Sequence, residues 1–444
     1  MIPRFTTALA GPLLDLEKHF LDKAVAVNHW LHGQWQAHVP PFYASVDLRN
    51  SGFKLAPVDT NLFPGGWNNL PALFHPLCAQ AVVSAIERHR PGARKLLLIP
   101  ESHTRNPFYL QNVRQLTTIL QRAGLDVRIG SLLPGIAAPT RIPLADGQSL
   151  VLEPVLRPGP ERRRLTLQDF DPDVILLNND LSGGIPGILE DLREQALIPP
   201  LHAGWATRRK SDHFAAFKEV AARFAEAIGI DPWLIDPDFA VCDSIDFRER
   251  TGEERLAAHV DAVLSRTRAR YREYGIKAPP FVIVKANAGT YGMGIMTLRD
   301  AAEVKGLNRK QRNKMAVVKE GLPVTEVLVQ EGVPTMETVN GAAAEPAIYM
   351  IDRYVVGGFY RAHADRRRDE NLNAPGMHFQ PLSFEGSCAM PDPCCGPDAP
   401  PNRFFAYGVV AQLALLAASL ELQRHAPRAE RACGPLTLME CLSA

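Results

Sequence analysis

Charge imbalance is missing from this chain: across 444 residues, 49 Lys and Arg meet 48 Asp and Glu, for a net charge of +1. A polyanion-binding surface leaves a basic excess, so nucleic acid is not an expected partner. No apolar run reaches the ~20 residues a membrane helix needs, and no membrane partner is expected. The opening MIPRFTTALAGPLLDLEKHF carries Asp15 and Glu17 inside its apolar part and lacks the layout of a secretory signal, which predicts a cytoplasmic protein. Cysteine is scarce and odd in number: Cys78, Cys242, Cys388, Cys394, Cys395, Cys433 and Cys441 fit reduced thiols better than a disulfide framework. The cluster Cys388, Cys394, Cys395 has neither C-x-x-C spacing nor a paired second half, which argues against a structural metal. Nucleotide signatures that open a helix, Gly-Lys-Ser/Thr and G-x-G-x-x-G, are absent, as are the H-R-D and D-F-G of protein kinases.

What the chain does carry is a hydrophobic content of 46% and a length beyond one ordinary core, so two or three subdomains are expected. The stretch Pro280 to Leu298, PFVIVKANAGTYGMGIMTL, reads as two strands around a glycine hairpin. Bare backbone N–H groups at Gly289, Gly292 and Gly294 can lie against phosphates, with Thr290 adding a hydroxyl and Lys285 a cation at the base. Glycines alone would equally fit a plain hairpin with positive φ. Lys285 favours the anion reading, because its apolar neighbours would bury an ammonium that has no partner.

Along the chain, Leu13 to Ala37 reads as a long helix with Leu13, Leu16, Phe20, Ala24, Val27 and Leu31 on one packing face. Ser45 to Leu70 mixes Asp47, Arg49, Asn50, Lys54, Asp59 and Asn61 with strand-like apolar residues. Both charge signs near strand ends suit a zwitterion such as an amino acid; a solvated loop with internal ion pairs is the alternative. A helix over 76–89, a strand over 95–99, a helix over 106–123 and a strand over 125–131 make a βαβ unit, followed by a further strand over 173–177 and a helix over 188–196. Polar residues at these strand ends, Glu101, His103, Arg105 and Asn106, sit where open α/β sheets bind ligands. The segment 134–164 reads as a surface excursion. Arg208, Arg209 and Lys210 precede a helix over 213–228 with Ser211 or Asp212 as N-cap, and offer either a solvated cluster or an ATP contact.

A helix over 253–274 leads into the hairpin, and 300–317 reads as polar and helical. The strand 326–330 then opens EVLVQEGVP, where Gln330, Glu331 and Val333 form a hinge edge for adenine, with Glu337 within reach of a ribose. A strand pair surrounds Asp352-Arg353, and the loop DENLNAPGMHFQPL offers Asp369, Glu370, Asn371 and Asn373, oxygen donors suited to Mg²⁺ and phosphate. The segment 391–401 reads as a linker, and 404–422 as an Ala/Leu-rich core helix.

The order of a Lys-ended strand, a Gly flap, a Gln-Glu hinge, an Asp strand pair and an Asn loop resembles an ATP-grasp ligase. More closely, SVDLRNSGFKLAPVDTNLFPGGWNNL, VKANAGTYGMGI and DRYVVGGFYRAH with ENLNAPGMHF resemble the proteobacterial type of glutamate–cysteine ligase over nearly the whole chain. The resemblance implies an α/β (α+β), ATP-grasp-like fold: an N-terminal α/β substrate domain (1–205), a helical linking subdomain (206–279) and a two-lobed nucleotide-binding region (280–444). It implies ATP-dependent joining of the glutamate γ-carboxylate to the cysteine amine, the first step of glutathione synthesis. Lys285 and the flap Gly289, Thr290, Tyr291, Gly292 and Gly294 would hold phosphates, Gln330 to Val333 adenine, and Lys210 would reach ATP. Arg361 and the Asn loop would line the acyl-phosphate region, giving Lys285, Arg361 and Asn373 catalytic roles. The ending PLTLMECLSA lacks a late E-x-N metal motif, so Mg²⁺ ligands are expected from Asp352, Glu370, Asn371 and Asn373. A homo-oligomer is compatible with the sequence. Another ATP-grasp carboxylate–amine ligase, or a non-catalytic nucleotide-binding protein, is the alternative function.

Overall fold

Strand patterns, alternating in some segments and continuously apolar in others, build three sheets. The computed structural model describes residues 5–6, 11–159, 163–289, 294–317, 321, 323–382 and 403–427. A seven-stranded antiparallel sheet holds Tyr43–Asn50, Leu55–Asn61, Ala342–Ile351, Tyr354–His363 and His378–Pro381, with the short strands Thr338–Val339 and Phe5–Thr6 at one side. Strand 43–50 pairs with strand 342–351, Asp47 opposite Ala347, so early and late parts of the chain share one sheet. Segments 1–205 and 280–444 therefore interleave here.

The two faces of this sheet are set by the pleat. Ala44, Val46, Leu48, Ala344, Ile348 and Ala362 pack toward the helix Arg403–His425, while Tyr43, Ala347, Tyr349 and Phe359 pack toward the helix His75–His89. Burying one face under each helix leaves the alternating polar positions Asp47, Arg49, Glu345 and Arg361 on the second face, beyond the reach of helix 75–89.

A six-stranded sheet in the order 140–143, 149–154, 126–131, 95–100, 174–178, 196–198 is parallel except for its first hairpin. Its central strands are continuous apolar runs, as burial on both faces requires. Segment 134–164 is thus not only an excursion, since Thr140–Pro143 and Ser149–Pro154 extend the sheet. Residues 188–196 are not helical: a single 3-10 turn Gly187–Leu189 leads to strand Ala196–Ile198, and the Gln195 side chain donates to the carbonyls of Leu165 and Pro172.

A four-stranded antiparallel sheet in the order 239–242, 327–331, 282–286, 295–298 forms the third unit, with helix Glu253–Glu273 over one face. The polar stretch 300–317 divides at Gly306 into Ala302–Lys305 and Arg309–Met315, the second opened by a reciprocal Asn308/Gln311 cap. The N-terminal helical pattern divides at Lys23 into Pro12–Asp22 and Ala24–Ala37, and its expected face is buried.

Helix Arg403–His425 is the hub of the fold: it touches helices 12–22, 24–37 and 210–228 and the antiparallel sheet. By length and composition its span Phe404–His425 could cross a membrane, contrary to the reading that no such run exists, but 89% of its most apolar window is buried inside the protein. Its hydrophobicity serves the core.

Candidate active site

A cleft partly open to solvent lies between the four-stranded lobe and the antiparallel sheet. Pleating decides who faces it. In strand Val282–Ala286, Val282 and Val284 enter the lobe's core, and Ile283 and Lys285 line the cleft. Across from them stand Asp47, Arg49, Asp59, Glu345 and Arg361, with Lys210 at the side and Glu370, Asn371 and Asn373 in a loop at the rim.

Alternating charges join the sheet side into one chain. Arg361 donates to both oxygens of Asp47 at 2.8 and 3.3 Å and to Glu345 Oε1 at 2.8 Å, and Arg49 Nε donates to Glu345 Oε2 at 2.6 Å. Arg49 also reaches the carbonyls of Arg368 and Glu370 at 3.0 and 2.7 Å, tying the rim loop to the sheet. Arg361 and Glu345 are directly opposed in register, so strand pairing itself brings the charges together. Burial works against the Arg361 cation, but Asp47 and Glu345 outweigh it and hold its pKa above the ordinary arginine value. Glu345 is kept below the usual carboxylate range, since Arg49 and Arg361 overcome the cost of its burial. Burial raises Asp47 despite Arg361, with Glu345 and Asp59 adding to the rise.

Two lysines stand at the opposite wall. Lys285 is buried, donates to Val58 O at 2.6 Å and Gln330 Oε1 at 2.9 Å, and lies 4.9 Å over the Phe214 ring. Burial pulls its pKa down to about 7, opposed by Asp59 and assisted by Lys210. Lys210 Nζ meets Asp59 at 2.6 Å and sits 4.4 Å over Trp205. Burial would raise Asp59, but Lys210 and Lys285 prevail and hold it at about 2. Because Lys285 can only donate, Gln330 must turn its oxygen to it, leaving Gln330 Nε2 buried with no partner among the described residues. A buried unpaired donor on a cleft-lining residue costs free energy until an acceptor arrives.

These groups fit a triphosphate: two lysines, Gly289 at φ 98° lining the cleft, and an unmet donor on Gln330. For Mg²⁺ the fit is partial. No group of three or more His, Cys, Asp or Glu side chains converges among the described residues, but Glu370, Asn371 and Asn373 bring oxygen donors to the rim, which suits an ion held mainly by phosphates.

Other expected positions lie elsewhere. Asp352 is not at the cleft; it is buried in the turn between the two long strands and accepts from Arg88 and Ser84, so its carboxylate is spent on helix 75–89. Glu337 is buried away from the cleft, accepting from Asn50 Nδ2 and the Tyr407 hydroxyl, and is not a ribose contact. Asn50 is held there in turn, and Asn61 closes a local turn with Phe63. Lys54 is fully buried against Glu331 at 2.6 Å, where Trp233 Nε1 and the Asp238 N–H also converge, so neither Lys54 nor the Glu331 carboxylate is offered to a ligand. The hinge edge is not free at Glu331: strand 327–331 is paired on both sides, the Glu331 N–H donates to Asp238, and the Gly332 N–H donates to Phe281. Val333 lines the cleft. Gly294 closes the hairpin base, its carbonyl accepting from Ala286. Thr290, Tyr291, Gly292 and the cysteines from Cys388 onward lie outside the described residues.

The basic cluster splits three ways. Arg208 is buried and bidentate to Glu421 at 2.7 and 3.0 Å, Arg209 bonds nearby carbonyls, and Lys210 alone faces the cleft. Sequence reasoning missed Glu345, Glu421 and Asn287. Glu345 sits inside AAAEPAIYM and Glu421 inside an Ala/Leu helix, and a lone carboxylate in an apolar run signals a buried cationic partner.

The sequence model of the family described as glutamate–cysteine ligase matches residues 17–422. Among solved structures, a candidate γ-glutamylcysteine synthetase from Methylobacillus flagellatus KT is 63% identical, with a TM-score of 0.87 over 96% of this chain and 99% of that one. A glutathione synthetase-like effector from Globodera pallida follows at 12% identity and TM-score 0.37, over 84% of this chain and 83% of that one. D-alanyl-alanine synthetase A from Vibrio cholerae O1 biovar eltor str. N16961 stands at 11% and 0.32, over 72% and 81%. No curated protein matches the chain. With the family match spanning most of its length, the chain belongs to the glutamate–cysteine ligase family.

Proposed function

We propose that this cleft joins the γ-carboxylate of glutamate to the amine of cysteine at the expense of ATP, the first step of glutathione biosynthesis, on an ATP-grasp-like framework in which two lobes hold the nucleotide between them. The observation that carries the reading is the convergence in one cleft of Lys210 and Lys285 at a glycine flap with the Asp47–Arg361–Glu345–Arg49 chain facing them. The family match and the name of the 63% identical relative support it.

A carboxylate is a poor acyl donor until an oxygen is phosphorylated. Lys210, Lys285 and Gly289 would hold the phosphates, and Gln330 Nε2 and Val333 would meet the base or sugar. Arg361 would align the γ-carboxylate so that one of its oxygens attacks the γ-phosphorus as the bond to ADP breaks. Asp47, or a carboxylate freed from its arginine, would receive a substrate ammonium. The cysteine amine then attacks the acyl carbon, phosphate leaves, and the amine loses a proton. Positioning and charge neutralisation provide the acceleration, and no protein nucleophile is needed. Mg²⁺, held by Glu370, Asn371 and Asn373 together with phosphate oxygens, would supply further charge neutralisation. Product chemistry of this kind suits a cytoplasmic enzyme with small-molecule substrates.

An ADP-release assay across a matrix of amino-acid pairs tests the proposal. Glutamate with cysteine is expected to give the highest kcat/KM. A different pair winning, or ADP release indifferent to the amine, would overturn it.

A further inference from the structure

Helix Lys210–Ile228 begins without a cap of its own: Arg209 stands at the N-cap position and makes no capping side-chain bond. Such a start leaves backbone N–H groups unmet. Asn287, two residues past Lys285, meets them from another part of the chain. Its backbone carbonyl accepts from the Lys210 N–H at 2.7 Å, and its side-chain oxygen accepts from the Ser211 N–H at 2.8 Å. The amide nitrogen then donates to Ser211 Oγ at 2.9 Å and Glu326 Oε2 at 2.5 Å, while the Asn287 N–H donates to Glu326 O at 3.1 Å. Asn287 is 1% exposed. The carboxylate of Glu326 accepts only, so the amide orientation is fixed by its partners.

Three elements therefore meet at one side chain. The lysine strand ends beside it, the neighbouring strand of the small lobe begins beside Glu326, and the helix that presents Lys210 starts on it. That helix packs with the C-terminal helix in the body of the protein, whereas the two strands belong to the small lobe. Asn287 is a junction of lobe and body next to the cleft-lining Lys285, Ala286 and Lys210.

We propose that Asn287 is a positioning residue that holds Lys285 and Lys210 at fixed separation as a single anion cradle, by capping in trans the helix that carries Lys210. The inference rests on the triphosphate reading of the cleft. A residue that sets the spacing of two phosphate-facing cations governs ATP more than the amino acids, which is a signature that a general loss of stability lacks.

Reversing the polarity of the Asn287–Glu326 bond tests this. Asn287→Asp keeps the acceptor for Ser211 but sets two carboxylates against each other; adding Glu326→Gln restores a donor–acceptor pair in the opposite sense. The single variant is expected to raise the KM for ATP roughly 10- to 100-fold, with the glutamate and cysteine KM values within about threefold, and the double variant to return the ATP KM to within about threefold of wild type. An unchanged ATP KM in Asn287→Asp, a double variant as impaired as the single, or an equal loss toward all three substrates would overturn the proposal. Should Asn287→Asp not fold, Asn287→Ser, whose hydroxyl is one atom too short for both the Ser211 N–H and Glu326, must show the same selective rise in ATP KM. Hydrogen exchange at the Ser211 amide supplies a ligand-free reading: faster exchange in Asn287→Ala, which removes the side-chain acceptor, is required, and unchanged exchange refutes the side-chain cap. A wild-type protein that binds no ATP would instead remove the cleft reading, and the cradle with it, whatever the exchange data show of the cap.

Discussion

Replacing Lys285 with Met should change how many protons accompany ATP binding. In the free protein burial disfavours the ammonium, and the group titrates near 7 instead of its ordinary 10.5. A polyanion placed against Nζ favours the charged form, so binding should lift the pKa back and draw a proton from solution. At pH 8, one unit above the free value, only ~10% of the lysine is charged, and a bound state titrating well above 8 is nearly fully charged, giving uptake of ~0.9 proton. At pH 6 the free lysine is already ~90% charged and uptake falls to ~0.1 proton. Calorimetry of ATP binding with Mg²⁺ and no amino acids, in two buffers of different ionisation enthalpy, measures the quantity directly. Subtracting the Lys285→Met titration removes the protons of ATP itself. Equal uptake in wild type and variant at pH 8, or equal uptake by wild type at pH 6 and pH 8, would refute the assignment. The same depression acts on stability. Between about 7 and 10.5 the unfolded lysine holds a proton that the folded one does not, so this group's contribution to stability rises with pH across that window. At pH 7 and below, the burden of the buried cation is on the order of 5 kcal/mol. Lys285→Met should escape part of it and melt higher than wild type without ATP, while gaining less stabilisation from ATP than wild type does.

Glu345→Gln leaves two buried guanidinium groups sharing a neutral amide; denaturant unfolding should show a loss of about 3–5 kcal/mol, and activity should fall with it, whereas a loss near zero would mean that the charge chain is solvated. Asp352→Asn, which keeps the turn and the Ser84 contact but strips the charge from Arg88, should lower the melting temperature at a cost of about 1–3 kcal/mol and leave the ATP KM and Mg²⁺ dependence as in wild type. A rise in the Mg²⁺ requirement would return Asp352 to the metal.

Much of the fold was legible because strands and helices write their period into the sequence. Lys285 was readable as a cleft residue because a cation at the end of an apolar strand must find a partner, and Asp47 and Arg49 because they alternate with Val46 and Leu48. The helix start at Lys210 was misread because local rules look for a cap nearby, at Ser211 or Asp212, and the cap is Asn287, 76 residues downstream of Ser211. Lys54, Asn50 and Glu337 carry the same polar chemistry as true cleft residues, and composition could not separate them.

The sequence by itself determined the periodicity of the elements, the strand that ends in Lys285, the mixed-charge strand and the family these motifs resemble, since each depends on residues close together in the chain. Only the tertiary structure decided which charges face the cleft. Asp47 meets Arg361 across 314 positions and Arg49 meets Glu345 across 296, while Lys54 and Asp352 are neutralised by Glu331 and Arg88 before any ligand could reach them. A buried charge is fixed by whichever opposite charge the packing brings within hydrogen-bonding distance, and that pairing is a property of strand register and lobe contact that no local pattern encodes.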